Sequence, residues 1–103
     1  MRDRAALENM ASIGVLTLEL RLENAHSLKE KRHVVKGLRD RLHNKFNVSV
    51  AEIDCQDLWQ RAVLAAVTVS SDRVHAEQVL QSVENETVSL LGPALTAATV
   101  EWM

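Results

Sequence analysis

A chain of 103 residues, 47% hydrophobic and 25% charged, has the length and balance of one globular domain with a single core. Its longest strongly apolar segments, such as residues 62–69, fall far below the ~20 residues that cross a bilayer, and residues 1–12 lack the apolar stretch of a secretory leader, so membrane-spanning and secreted classes are set aside. The single cysteine, Cys55, cannot close an internal disulfide and fits a cytoplasmic location, while the net charge of −2 conceals an asymmetry: residues 28–46 carry seven of the twelve Lys and Arg against only Glu30 and Asp40.

Residues 1–12 show no strand pattern and read as a flexible N-terminal extension or short helix, with Met10 as an alternative start; residues 13–103 form the domain. From Ile13 a strand is expected, because Leu16, Leu18, Leu20 and Leu22 alternate with Thr17, Glu19 and Arg21. Ser27, followed three residues later by Glu30, is a capping box that opens a helix. Along that helix Leu28, Val34, Val35, Leu38, Leu42 and Phe46 share one side, and Lys29, Arg32, Lys36, Arg39 and His43 recur at spacings of 3 and 4 on another. Lys31 falls in the middle of the apolar arc, where it is expected to extend along the core edge or pair with a strand carboxylate.

Residues 47–54 read as a second strand in which Val48 and Val50 are in phase and Ile53 is not, so a bulge is expected near Ala51 or Glu52. Residues 55–60 are a connection containing Leu58 and Trp59. The third strand, residues 61–69, is nearly continuous in apolar residues, as expected of a central strand covered on one face and shielded on the other. Ser70, Ser71 and Asp72 are candidate caps for a second helix with Ala76, Val79, Leu80, Val83, Thr87 and Leu90 inward, and Gly92-Pro93 ends it. Residues 95–102, rich in β-branched side chains, read as a fourth strand. The order β-α-β-β-α-β predicts an α+β, ferredoxin-like fold: a four-stranded antiparallel sheet with two helices on one face.

Three segments, Ala25-His26-Ser27-Leu28-Lys29-Glu30-Lys31-Arg32, Asn44-Lys45-Phe46-Asn47-Val48-Ser49-Val50-Ala51-Glu52 and Asp57-Leu58-Trp59-Gln60-Arg61-Ala62, together resemble the YlxP family of small bacterial domains of unknown function. The resemblance covers residues 13–91. It implies a ferredoxin-like fold, a bacterial cytoplasmic protein and genes often placed beside translation and ribosome-maturation factors; it implies no activity. The longer start and Cys55 depart from the family pattern, and the match is weaker from the second helix onward.

Lys29, Arg32, Lys36, Arg39 and His43 form a stripe of about 2.5 nm or less, long enough to follow several phosphates of an RNA backbone. The plain alternative is a solvated helix face. Three cations, Lys29, Lys31 and Arg32, crowd the helix's first turns and oppose its dipole, which a bound anion would compensate. Trp59, between Asp57 and Arg61, reads either as a partner anchor or base-stacking platform, or as a tryptophan folded over the open end of the core. Thr17, Glu19 and Arg21 on the open sheet face supply no aromatic pair for base stacking by the sheet.

His26, Asp54, Cys55 and Asp57 lack a spacing diagnostic of zinc, nothing sets a base beside Cys55, and three glycines make no phosphate loop. No metal, cofactor or catalytic residue is therefore expected. The expectation is a non-enzymatic accessory protein that meets ribosomal RNA or a ribosome-assembly particle through its basic helix. The alternative is an interaction module that binds an acidic partner or self-associates as a homo-oligomer through exposed sheet edges.

Overall fold

The structure, a computed structural model, describes residues 11–103. The expected extension over residues 1–10 lies outside the described residues. The elements are β1 (Ser12–Arg21), α1 (Leu28–Lys45), β2 (Ser49–Asp54), β3 (Arg61–Ser70), α2 (Arg73–Leu91), a 3-10 turn (Gly92–Ala94) and β4 (Leu95–Trp102). The strands form one antiparallel sheet in the order β2-β3-β1-β4. Both helices pack on the same side of it, the ferredoxin-like arrangement that the element order predicts.

Alternation sets which side of each strand faces the helices. On β1, Leu16, Leu18 and Leu20 are no more than 2% exposed. Leu18 lies opposite Leu64 of β3 and Ala98 of β4, so residues of three strands meet on one face. Helix α1 adds Val35, Leu38 and Leu42 to this core, and α2 adds Ala76, Leu80 and Val83. The sequence put Leu90 inward as well; it is instead 44% exposed, and its neighbour Leu91 packs against the core. Buried hydroxyls are satisfied locally: Thr68 Oγ1 donates to the Asn47 carbonyl at 2.9 Å and Thr87 Oγ1 to Val83 at 2.8 Å.

The helix ends follow the sequence signals. Ser27 Oγ accepts from Glu30 N at 3.1 Å, the first half of a capping box, and a Glu30 carboxylate oxygen accepts at 2.5 Å from the N–H of His26, the residue before the cap, in place of that of Ser27. Of the three candidate caps before α2 it is Asp72 that acts, accepting from Val74 N and His75 N. Gly92 closes α2 with φ +55°, in the region that favours glycine. A second glycine is required for space. A Cβ on Gly14 would lie 2.7 Å from Leu80 Cδ1 and 2.8 Å from the Trp102 ring, so its absence lets β4's last tryptophan lie across β1. The Arg73 guanidinium stacks on that ring from α2, 3.7 Å from its centroid.

The register between β2 and β3 shifts between Glu52 and Asp54, which places the bulge at Ile53, one residue beyond the expected position. Ile53 is 51% exposed as a result. The bulge leads directly into Cys55, whose φ of +62° is the one positive value at a non-glycine among the described residues.

Candidate anion-binding face of the first helix

The cations of α1 separate into distinct roles once their partners are assigned. Lys31 is fully buried. Its ammonium donates to the Cys55 carbonyl at 2.5 Å and the Gln56 carbonyl at 3.3 Å, and lies 2.6 Å from Glu52 Oε2. The contact with Glu52 is an ion pair outside hydrogen-bonding angles, since Oε2 has no directed donor among the described residues. Lys31 thus belongs to the structure: it neutralises a strand carboxylate and fixes the turn carbonyls after β2. Arg41 and Lys45 reach across to Glu86 of α2, at 3.1 Å and 2.9 Å, and join the two helices. The hydrogen bond from Lys45, with Arg41 beside it, holds the Glu86 carboxyl below the ordinary glutamate value.

All five stripe residues are exposed, but they are not equivalent. Lys36 Nζ donates to Asp40 Oδ2 at 2.7 Å and Arg39 Nε lies 4.0 Å from the same carboxylate. The Lys36 hydrogen bond is the main cause of Asp40's lowered pKa. At the far end His43 Nδ1 is 3.2 Å from the Val48 carbonyl; because a carbonyl only accepts, Nδ1 carries the proton. Lys29 and Arg32 remain, and among the described residues no carboxylate lies within 4.0 Å of either. The capping box explains why. Glu30, their nearest acidic neighbour in sequence, is turned back onto His26 N.

Lys29, Arg32, His33 and Lys36 also form one wall of an open cleft of about 1350 Å³ that sequence reasoning missed. Its other walls are the connection after β1 and the end of α2 with the 3-10 turn, which contribute Leu22, Leu90, Leu91 and Ala94. Arg21 and Glu23 stand at its rim, 3.7 Å apart. The cleft therefore joins an apolar floor to a mainly cationic edge. No signal for it stands in the sequence: helical phase places Leu90 inward with Val83 and Thr87, and only the packing of the helix end leaves it 44% exposed on the cleft floor.

Trp59 is 53% exposed and Leu58 47%, and Asp57 is exposed beside them. This connection is pinned on both sides. Cys55 O accepts from Leu58 N at 3.0 Å as well as from Lys31, while Gln60 Nε2 donates to the Glu23 and Ala25 carbonyls at 3.1 and 3.2 Å. The third residue grouped with Trp59 in the sequence, Arg61, is the first residue of β3 and pairs with Arg21 across the sheet. Among the described residues no three His, Cys, Asp or Glu side chains are gathered as a metal site, and no helix is long and apolar enough to cross a membrane.

Fold and face together define a small α+β domain of ferredoxin-like topology that carries a cationic helix. The chain belongs to the family described as "Protein of unknown function (DUF503)", which matches residues 13–94. A curated relative, "Uncharacterized protein YlxP" of Bacillus subtilis (strain 168), is 49% identical over 71 residues, covering 69% of this chain and 77% of that protein. Among solved structures, the "De novo designed protein Foldit4" matches with a TM-score of 0.56 at 12% identity over 90% of this chain and 96% of that one. A "conserved protein from Methanosarcina mazei Go1" matches with a TM-score of 0.53 at 13% identity, over 95% and 96% of the two chains. These two likenesses concern the fold alone.

Proposed function

We propose that the protein is a non-enzymatic, cytoplasmic RNA-binding accessory factor that contacts the phosphate backbone through the exposed cations of α1, with ribosomal RNA or a ribosome-assembly particle as its target. The observation that carries this reading is the state of Lys29 and Arg32: two exposed cations in the first turns of a helix, without a carboxylate within 4.0 Å among the described residues. Positive charge there opposes the helix dipole, and a phosphate seated between the two side chains relieves both. Lys36 and Arg39 extend the track along the helix but first have to share Asp40. Crosslinking in cells followed by sequencing of bound RNA tests the proposal. Enrichment of ribosomal RNA that is lost in Lys29→Ala with Arg32→Ala supports it, and recovery of no RNA above background sinks it.

A second reading is favoured by one specific observation, the apolar floor of the cleft beside those cations. RNA phosphates make no use of Leu22, Leu90 or Leu91, whereas an acidic amphipathic segment of a protein partner would cover them and pair its carboxylates with the rim. The two readings separate by mutation: Leu90→Ser weakens binding of an acidic peptide and leaves RNA binding unchanged.

A further inference from the structure

The side of the sheet away from the helices carries an apolar strip along β3, where an exposed antiparallel sheet is ordinarily polar. Because Ala62, Leu64, Ala66 and Thr68 are buried under the helices, every second residue of β3 faces the other way: Val63, Ala65, Val67 and Val69. In register beside them are Val15 of β1, opposite Val67, and Ala51 of β2, opposite Ala65. None of the described elements covers this face, and Val69 is 57% exposed. Four strands spaced ~4.8 Å apart, with the longest about 33 Å, present a face of roughly 600 Å² in projection. About half of the outward residues are apolar, so the apolar patch is about 300 Å², a size at which an exposed patch is often functional, and the whole face approaches one side of a standard interface of about 800 Å² of accessible surface per partner.

We infer that this face is the interface of a symmetric homodimer, with the sheets of two copies packed face to face. The small Val, Ala and Thr side chains make a flat surface whose best complement is another such surface, as in packed sheets ~10 Å apart. Charge selects the orientation. Arg21 and Arg61 lie directly opposite each other at one end of the face, a like-charged pair that is unfavourable alone; Glu19 is two residues inward from Arg21, and Glu101 lies at the other end, opposite Val15. A two-fold axis parallel to the strands would gather four arginines with the two Glu19 at one end and leave the two Glu101 facing each other at the other. An axis across the strands instead sets the Arg21 and Arg61 end of each copy over the Glu101 end of the other, so that each end of the interface holds two arginines and two glutamates. In that arrangement Ala65 sits next to the axis and meets its own counterpart. The helices, with the cationic face of α1, remain outermost, so this inference stands independently of RNA binding.

Sedimentation equilibrium of the full chain from micromolar to millimolar concentration tests the interface. The expected result is a concentration-dependent species of twice the 11.5 kDa chain mass. Ala65→Glu places two carboxylates across the axis and should weaken dimerisation more than tenfold with an unchanged far-UV circular dichroism spectrum. Glu101→Arg, at the edge strand, should weaken it independently of any effect at Ala65, and Arg21→Glu in the same chain should restore it. A chain that is monomeric throughout overturns the inference. So does a dimer indifferent to both Ala65→Glu and Glu101→Arg, or a monomer that dimerises only after removal of residues 1–10, since the face would then be covered from within the chain.

Discussion

Lys31 of α1 and Glu52 of β2 form a buried ion pair, Nζ to Oε2 2.6 Å, in which the lysine side chain is 1% exposed and the glutamate 18%. The two charges are desolvated together, and two turn carbonyls complete the ammonium's surroundings. Such a pair contributes little net stability relative to apolar residues of the same shape, yet breaking it from one side is costly because the remaining charge stays buried. Its structural effect is to hold the backbone at Cys55 and Gln56, and with it the connection that exposes Trp59.

Glu52→Ala should therefore destabilise the fold by about 3 kcal/mol or more in urea unfolding, and Lys31→Ala by a similar amount. Lys31→Met combined with Glu52→Leu should recover a large part of either loss. Single-variant losses below about 1 kcal/mol would show that water reaches the pair.

Gly14→Ala inserts a methyl group where Leu80 Cδ1 and the Trp102 ring stand at 2.7 and 2.8 Å. The expected loss is about 1–3 kcal/mol. Trp102→Leu in the same chain should remove most of the penalty of the alanine, measured as the difference between the double variant and Trp102→Leu alone. Gly37, whose added Cβ would meet nothing within 4 Å, is the control: Gly37→Ala in the exposed middle of α1 should stabilise by about 0.5–1 kcal/mol.

Much of this was legible from the sequence. The alternation of β1, the Ser27 and Glu30 capping box and the Gly92-Pro93 stop are local signals, and each element they announce is present within a residue or two of its expected bounds. Lys31 was legible in part: its helical phase put a charge on the apolar side, where it would either extend along the core edge or pair with a strand carboxylate, and the structure gives it Glu52. The cleft was not, since it arises from how far α1 and the end of α2 stand apart, a tertiary quantity with no periodicity. The inequality within the basic stripe was hidden for a similar reason: spacing gives Lys29, Arg32, Lys36, Arg39 and His43 equal standing, and only side-chain geometry directs Asp40 to Lys36 and His43 to Val48. Gly14 reads as an ordinary strand residue until Trp102 is seen lying over it.

Glu86 supplies a pH prediction. Its carboxyl titrates below the ordinary glutamate value because Lys45 and Arg41 hold it charged. A group with a depressed folded-state pKa contributes stability that is fully present above its unfolded value and is lost as pH falls through the folded one. Stability should thus decline on acidification from about pH 5 downward, and Glu86→Gln should lower stability at neutral pH while making that decline shallower. Chemical denaturation at a series of pH values reads both effects. An unchanged acid profile in Glu86→Gln would contradict the bridge between the helices.

Trp59→Ala should lower the thermal midpoint by only a few degrees, corresponding to less than about 1 kcal/mol, because the ring is 53% exposed. A loss of about 3 kcal/mol or more would instead identify Trp59 as part of the core.

The salt dependence of RNA binding by Lys29 and Arg32 tests the proposed function most directly. With three or four of the α1 cations on phosphates, log K against log salt should fall with a slope of roughly −2 to −3 for single-stranded RNA, about −0.7 per contact. Lys29→Ala with Arg32→Ala should reduce the magnitude of that slope by about 1.4, and Lys36→Ala with Arg39→Ala by less, since Asp40 already occupies part of their charge. Binding no stronger than that of a protein with a scrambled stripe at low salt, or a slope unchanged when Lys29 and Arg32 are removed, would contradict the account.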